Sequence, residues 1–146
     1  MRRAKFSAKK LTIRAYHLAK DYAKQNGMPE SLVGVCAISS VALYLALKVY
    51  GYKPKLQWGK TKRCINTGQT HHHVWVYLDD KVHDPTFQQF DEDSTIFIGP
   101  PTPYHEAFTE IVEVEKLDSF MTWDDKQMPT NERVMEFASK LIAVFQ

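Results

Sequence analysis

The chain has 146 residues, 44% of them hydrophobic and 25% charged, with a formal net charge of +2. That length predicts one domain spanning residues 1–146, able to bury about two thirds of its unfolded surface. So small a charge argues against nucleic acid or an anionic membrane as partner, and no uncharged apolar run reaches the roughly 18 residues that a bilayer span requires.

The basic opening, Met1 to Leu11, lacks the apolar stretch of a signal peptide and is expected to lead into the first helix, although its composition would also pass for a weak transit peptide. Leu11, Ala15, Leu18, Ala19, Tyr22 and Ala23 recur at helical spacing, with Arg14, Lys20, Asp21 and Lys24 between them. This predicts an amphipathic helix ending near Asn26-Gly27, with Pro29 beyond.

From Gly34 to Gly51 apolar residues fall on every side, the pattern of a helix wrapped by the rest of the domain. Gly34 allows a tight turn before it and Gly51 a left-handed stop after it. Cys36 then stands in or near the first helical turn. Free N–H groups and the positive end of the helix dipole favour thiolate over thiol there. The other cysteine, Cys64, has no helix start or paired base near it, and two cysteines make no disulfide scaffold; both fit reduced thiols in a cytosolic setting.

Residues 52–60 read as extended, with Leu56 and Trp58 on one face. A basic loop carrying Lys60, Lys62, Arg63 and Gly68 follows, read as a solvated rim because no aromatic residues interleave it. His73 to Leu78 alternates at period two, Asp79-Asp80 reads as a tight turn, and Lys81 to Asp84 as the return strand, ended by Pro85. Thr95 to Ile98 and Ile111 to Val114 predict two more short strands, with a loop holding Pro103, Tyr104 and His105 between them. Val134, Phe137, Ala138, Leu141, Ile142 and Phe145 line a final helix, capped by Thr130 or Asn131. Helices at both ends with strands between define an α+β class.

If Asp79 and Asp80 form a two-residue loop, Leu78 faces Lys81, Asp84 lies opposite Trp75, and His73 is its diagonal neighbour. Such neighbours lie roughly 7–8 Å apart at the backbone, within side-chain reach. Val74, Val76 and Leu78 would then point into the core, whereas a three-residue loop would turn Asp84 to the other face. A thiol needs a base to take its proton, and the base works best when a third group fixes its tautomer. The roles follow as Cys36 attacking, His73 carrying the proton and Asp84 orienting His73. His73 is preferred to His71 and His72 because it directly precedes the alternating strand, the other two being placed in the loop rim.

Cys36 opening a buried helix, then His73-Val74-Trp75-Val76, then Asp84-Pro85-Thr86, resembles the transglutaminase-like branch of the papain-like cysteine enzymes. The likeness covers roughly residues 30–105, and Asp84 to Phe90 with Phe97-Ile98-Gly99 and Tyr104-His105 is also similar to small bacterial and phage proteins of that group. It implies a buried central helix packed on an antiparallel sheet, a catalytic trio at Cys36, His73 and Asp84, and no cofactor. The implied reaction is acyl transfer from a peptide, protein or small amide through a thioester. The glutamine that papain-type proteases place just before the nucleophile is missing, since residues 29–35 contain none. The Cys36 N–H would therefore need a second oxyanion donor, for which Gln69 and Trp75 are candidates. The short chain favours hydrolysis or deamidation over protein crosslinking.

Two rival readings remain. His71, His72, His73 and His83, with Cys36 or Cys64, are zinc-ligand types, although no CxxC or HExxH spacing joins them. Alternatively the trio is structural and the domain only binds a partner. His105 and Tyr104 either line the cleft or close their loop.

Overall fold

The computed structural model describes residues 7–27, 36–63, 70–89, 96–106, 108, 110–114 and 131–143. Ser7, in extended backbone, caps helix α1 (Ala8–Gln25) by accepting at Oγ from the Lys10 N–H at 3.1 Å, which satisfies one of the donors a helix start leaves over. Leu11, Ala15, Leu18, Ala19 and Ala23 form its buried stripe. The helix stops at Asn26-Gly27, where Gly27 takes φ 65°.

Helix α2 (Cys36–Val49) is buried around most of its circumference, from Ala37 through Leu43 and again at Ala46 and Leu47. It packs between α1, the C-terminal helix α4 (Asn131–Ala143) and strand β2 (Thr70–Leu78). Its end is a Schellman turn: Gly51 at φ 89° directs the Tyr52 N–H to the Leu47 carbonyl at 3.0 Å.

The remaining elements are β1 (Lys55–Arg63), β3 (Lys81–Asp84), a 3₁₀ turn (Phe87–Gln89), β4 (Phe97–Gly99), the one-turn helix α3 (Pro103–Glu106) and β5 (Glu110–Val114). The five strands form one antiparallel sheet in the order β4-β3-β2-β1-β5. The chain is thus an α+β protein. Leu56, Val74, Val76 and Leu78 project from one face of the sheet into the helical core with α1, α2 and α4. The opposite face carries a separate cluster of Trp75, Val82 and Phe108, with Tyr77 and Phe97 against it. No helix among the described residues is long and apolar enough to cross a membrane.

Several boundaries differ from the sequence expectation. Strand β1 continues through Arg63, so Lys60, Lys62 and Arg63 lie in the sheet rather than in a loop, and β2 begins at Thr70, taking in His71 and His72. An irregularity between Gly59 and Lys62 lets Lys62 pair with His71 and Arg63 with Thr70. Cross-strand pairing there overrides the weak strand preference of these residues. Pro103–Glu106 is helical where a loop was expected. Pro29, Gly34, Thr130 and Phe145 lie outside the described residues.

Candidate functional site

Asp79 and Asp80 take φ 53° and 62°, the positive pair of a type I′ hairpin turn, whose twist matches the strands it joins. Asp is one of the few non-glycine residues that tolerates that region. The pairing Leu78 to Lys81, Tyr77 to Val82 and Val76 to His83 has the register the two-residue loop predicts. Asp84, the last residue of β3, therefore shares a face with His73 and Trp75. The His73 Nε2 and Asp84 Oδ2 are 2.6 Å apart, and both side chains are fully buried.

The second carboxylate oxygen is also engaged. Pro85 turns the chain so that the Thr86 N–H donates to Asp84 Oδ1 at 3.1 Å, an Asx turn, with the Thr86 hydroxyl at 3.4 Å. A further partner arrives from α3, where His105 Nε2 lies 2.9 Å from the same Oδ2 that meets His73. Helix α3 is built for that delivery. Pro103 occupies the first helical position, and Thr102 caps the turn by accepting the His105 N–H at Oγ1. The Thr102 N–H donates in turn to His105 Nδ1 at 3.3 Å, with the Thr102 hydroxyl 2.8 Å from the same nitrogen. A backbone N–H can only donate, so neutral His105 carries its proton on Nε2 and gives it to Asp84.

Aromatic rings enclose the two imidazoles. His105 stacks on Phe87 at 5.6 Å and meets the edge of Trp75 at 5.0 Å. His73 stacks on Phe108 at 6.4 Å and 17°. Phe108 can approach because Gly59, paired with His73 across the sheet, has no side chain; a Cβ there would stand 2.5 Å from the ring. Burial opposes a charge on Asp84. The charge of His73 and the hydrogen bonds from His105 and His73 outweigh it, holding the carboxyl well below the usual carboxylate range.

The structure brings together two of the residues singled out from the sequence, His73 and Asp84, and adds His105 as the residue sequence reasoning left undecided. The signal for it was present: Thr102-Pro103 is an N-cap followed by a first-turn proline, which sets His105 on an ordered turn. Trp75 is 1% exposed and its indole N–H donates to Gln57 Oε1 at 2.8 Å, so that donor is committed elsewhere than an oxyanion. The Cys36 thiol, Cys64 and Gln69 lie outside the described residues. The backbone does locate Cys36 as the first residue of α2, one turn before Ser40. The Ser40 hydroxyl donates to the Val74 carbonyl at 2.9 Å, tying that end of α2 to the strand residue next to His73.

Of the histidines considered for zinc, His73 and His83 do not converge. His83 pairs with Val76 and so faces the helical side, away from His73. Among the described residues the metal-capable group is instead His73, Asp84 and His105, with ligand atoms within 4.8 Å of one another. Two atoms bound at about 2.05 Å to a tetrahedral zinc stand about 3.3 Å apart. The separations of 2.6 and 2.9 Å are those of hydrogen bonds instead. A groove of about 280 Å³ between α1 and α4, lined by Asp21, Arg133, Glu136 and Lys140 among others, lies apart from this cluster and mixes both charge signs. Compared with protein-family models, curated proteins and solved structures, the chain gives no match.

Proposed function

We propose that the chain is a cysteine-dependent acyl-transfer enzyme of the papain-like, transglutaminase-like kind, with Cys36 as nucleophile, His73 as base and Asp84 as its orienting acid. The observation that carries the reading is the buried 2.6 Å contact between His73 Nε2 and Asp84 Oδ2, next in the strand to Val74, whose carbonyl holds the Ser40 hydroxyl of α2. With Nε2 held by a carboxylate, neutral His73 has its lone pair on Nδ1, the nitrogen that would accept a proton. Cys36, first residue of a helix of 14 residues, has the dipole that favours a thiolate.

In the proposed cycle the Cys36 thiol gives its proton to His73 Nδ1 and the sulfur attacks an amide carbonyl carbon. The tetrahedral oxyanion, stabilised by the Cys36 N–H, collapses to a thioester. The amine leaves with the proton returned by His73. Water or a second amine, deprotonated by the same imidazole, then attacks the thioester and frees the thiol. The substrate is an amide of a peptide, protein or small molecule, and no cofactor takes part.

The test is alkylation of Cys36 by iodoacetamide near pH 6 in a Cys64→Ser background, followed by mass spectrometry. Fast modification that His73→Ala slows by an order of magnitude or more supports the activated thiolate. A Cys36 no faster than a free thiol, at every pH, would leave a binding domain. Bound zinc by elemental analysis, lost in His105→Ala, would favour a metal centre.

A further inference from the structure

Asp84 is held by more than its catalytic partner requires. Two imidazole nitrogens converge on one oxygen of a single buried carboxylate, from strands and helix far apart in the chain. The two are not equivalent. The proposed base, His73, must gain and lose a proton during turnover. His105 is fixed as an Nε2–H donor, because its other nitrogen accepts from the Thr102 backbone N–H. It sits in a one-turn helix whose cap, Thr102, contacts it three times, and its ring is stacked on Phe87 from the same Asp84-Pro85-Thr86-Phe87 run.

The χ2 torsion of an aspartate is broad and roughly two-fold, so the rotamer alone does not aim the carboxylate. Its partners must do so. Thr86 anchors Oδ1 with one bond at 3.1 Å and a longer one at 3.4 Å. We infer that His105 is a positioning residue, a fixed Nε2–H donor that keeps Asp84 Oδ2 against His73 while His73 changes charge. The inference rests on the proposed catalytic reading for its kinetic consequence alone; the geometric part concerns Asp84 and His73 whether or not Cys36 reacts.

Two variants separate donor from filler. His105→Phe keeps a ring and removes the donor, while His105→Gln keeps a donor of similar reach. The full chain, labelled with ¹⁵N-histidine, is examined by NMR for the His73 Nε2 proton, whose short bond to the carboxylate places it far downfield. In His105→Phe that resonance moves upfield and exchanges faster with water, and in His105→Gln it stays. Alkylation of Cys36 across pH 5–8 falls by about tenfold to a hundredfold in His105→Phe, with its lower pH limb displaced, and recovers in His105→Gln. Thr102→Ala, which removes the hydroxyl beside His105 Nδ1 but keeps the imidazole, shifts the same proton in the same direction by less, and serves where His105→Phe does not fold.

A His73 proton unmoved in His105→Phe and Thr102→Ala overturns the inference. So does an equal effect of Phe and Gln, which would make His105 packing alone. If Cys36 proves inert in the parent while the proton behaves as described, the nucleophile reading falls and the positioning role stands.

Discussion

Replacing Asp84 by Asn removes a charge but no volume, and the surroundings leave the amide no good orientation. Four donors point at the carboxylate, two imidazole N–H groups at Oδ2 and the Thr86 N–H and hydroxyl at Oδ1. With its oxygen turned to the imidazoles, the Asn amide hydrogens face the Thr86 N–H across 3.1 Å. Turned the other way, they face two imidazoles at 2.6 and 2.9 Å. The milder orientation loses one buried backbone bond, about 1–3 kcal/mol, and the charge assistance of two more, about 1 kcal/mol each. The sum is about 3–5 kcal/mol of stability. Urea denaturation at pH 7 measures it as a drop in midpoint at unchanged slope. The folded carboxyl titrates below its ordinary value of 3.8, so its contribution is complete above that pH and fades as acid protonates the native state. The gap between parent and Asp84→Asn therefore holds from pH 7 to 5 and closes only in stronger acid. An Asn variant within about 0.5 kcal/mol of the parent at pH 7 would refute the view that this carboxylate is ionised and fully bonded.

Gly59→Ala places a methyl 2.5–3.0 Å from three atoms of the Phe108 ring, and the ring must leave its stack on His73. The expected loss is about 1–3 kcal/mol by thermal melting, and the same substitution costs much less in a Phe108→Ala background. His83 is a second buried titratable group, on the helical side of the sheet. Burial lowers its pKa from 6.5, and its Nδ1 has no hydrogen-bond partner among the described residues. The unfolded chain therefore takes up that proton first, and stability falls as pH drops below 6.5. His83→Leu should flatten the decline in denaturation midpoint between pH 7 and 5; an unchanged slope would assign the acid sensitivity elsewhere.

Much of this arrangement was legible because it depends on short-range rules. The period-two alternation from His73 to Leu78 assigns faces, and Asp79-Asp80 sets the loop length that decides which face Asp84 joins. The apolar residues around α2 announced a central helix, and Gly51 its stop. His105 was not assigned because its partner lies 21 residues earlier on another element, and nothing local says which side of the sheet α3 crosses. The strand state of Lys62, Arg63, His71 and His72 was missed for a similar reason. It comes from pairing between neighbours whose own preferences are weak.

The five strands act as a partition between two compartments of different chemistry. From His73 to Leu78, even-numbered positions of β2 belong to the oily side with the helices, odd-numbered ones to the side with the imidazoles and rings. Drift in Val74, Val76 or their helical neighbours can be absorbed by repacking without disturbing a proton. A single residue inserted into the turn at Asp79-Asp80 would hand Asp84 to the wrong compartment, away from every partner it now has. The length of that turn thus decides which compartment each residue of β3 enters.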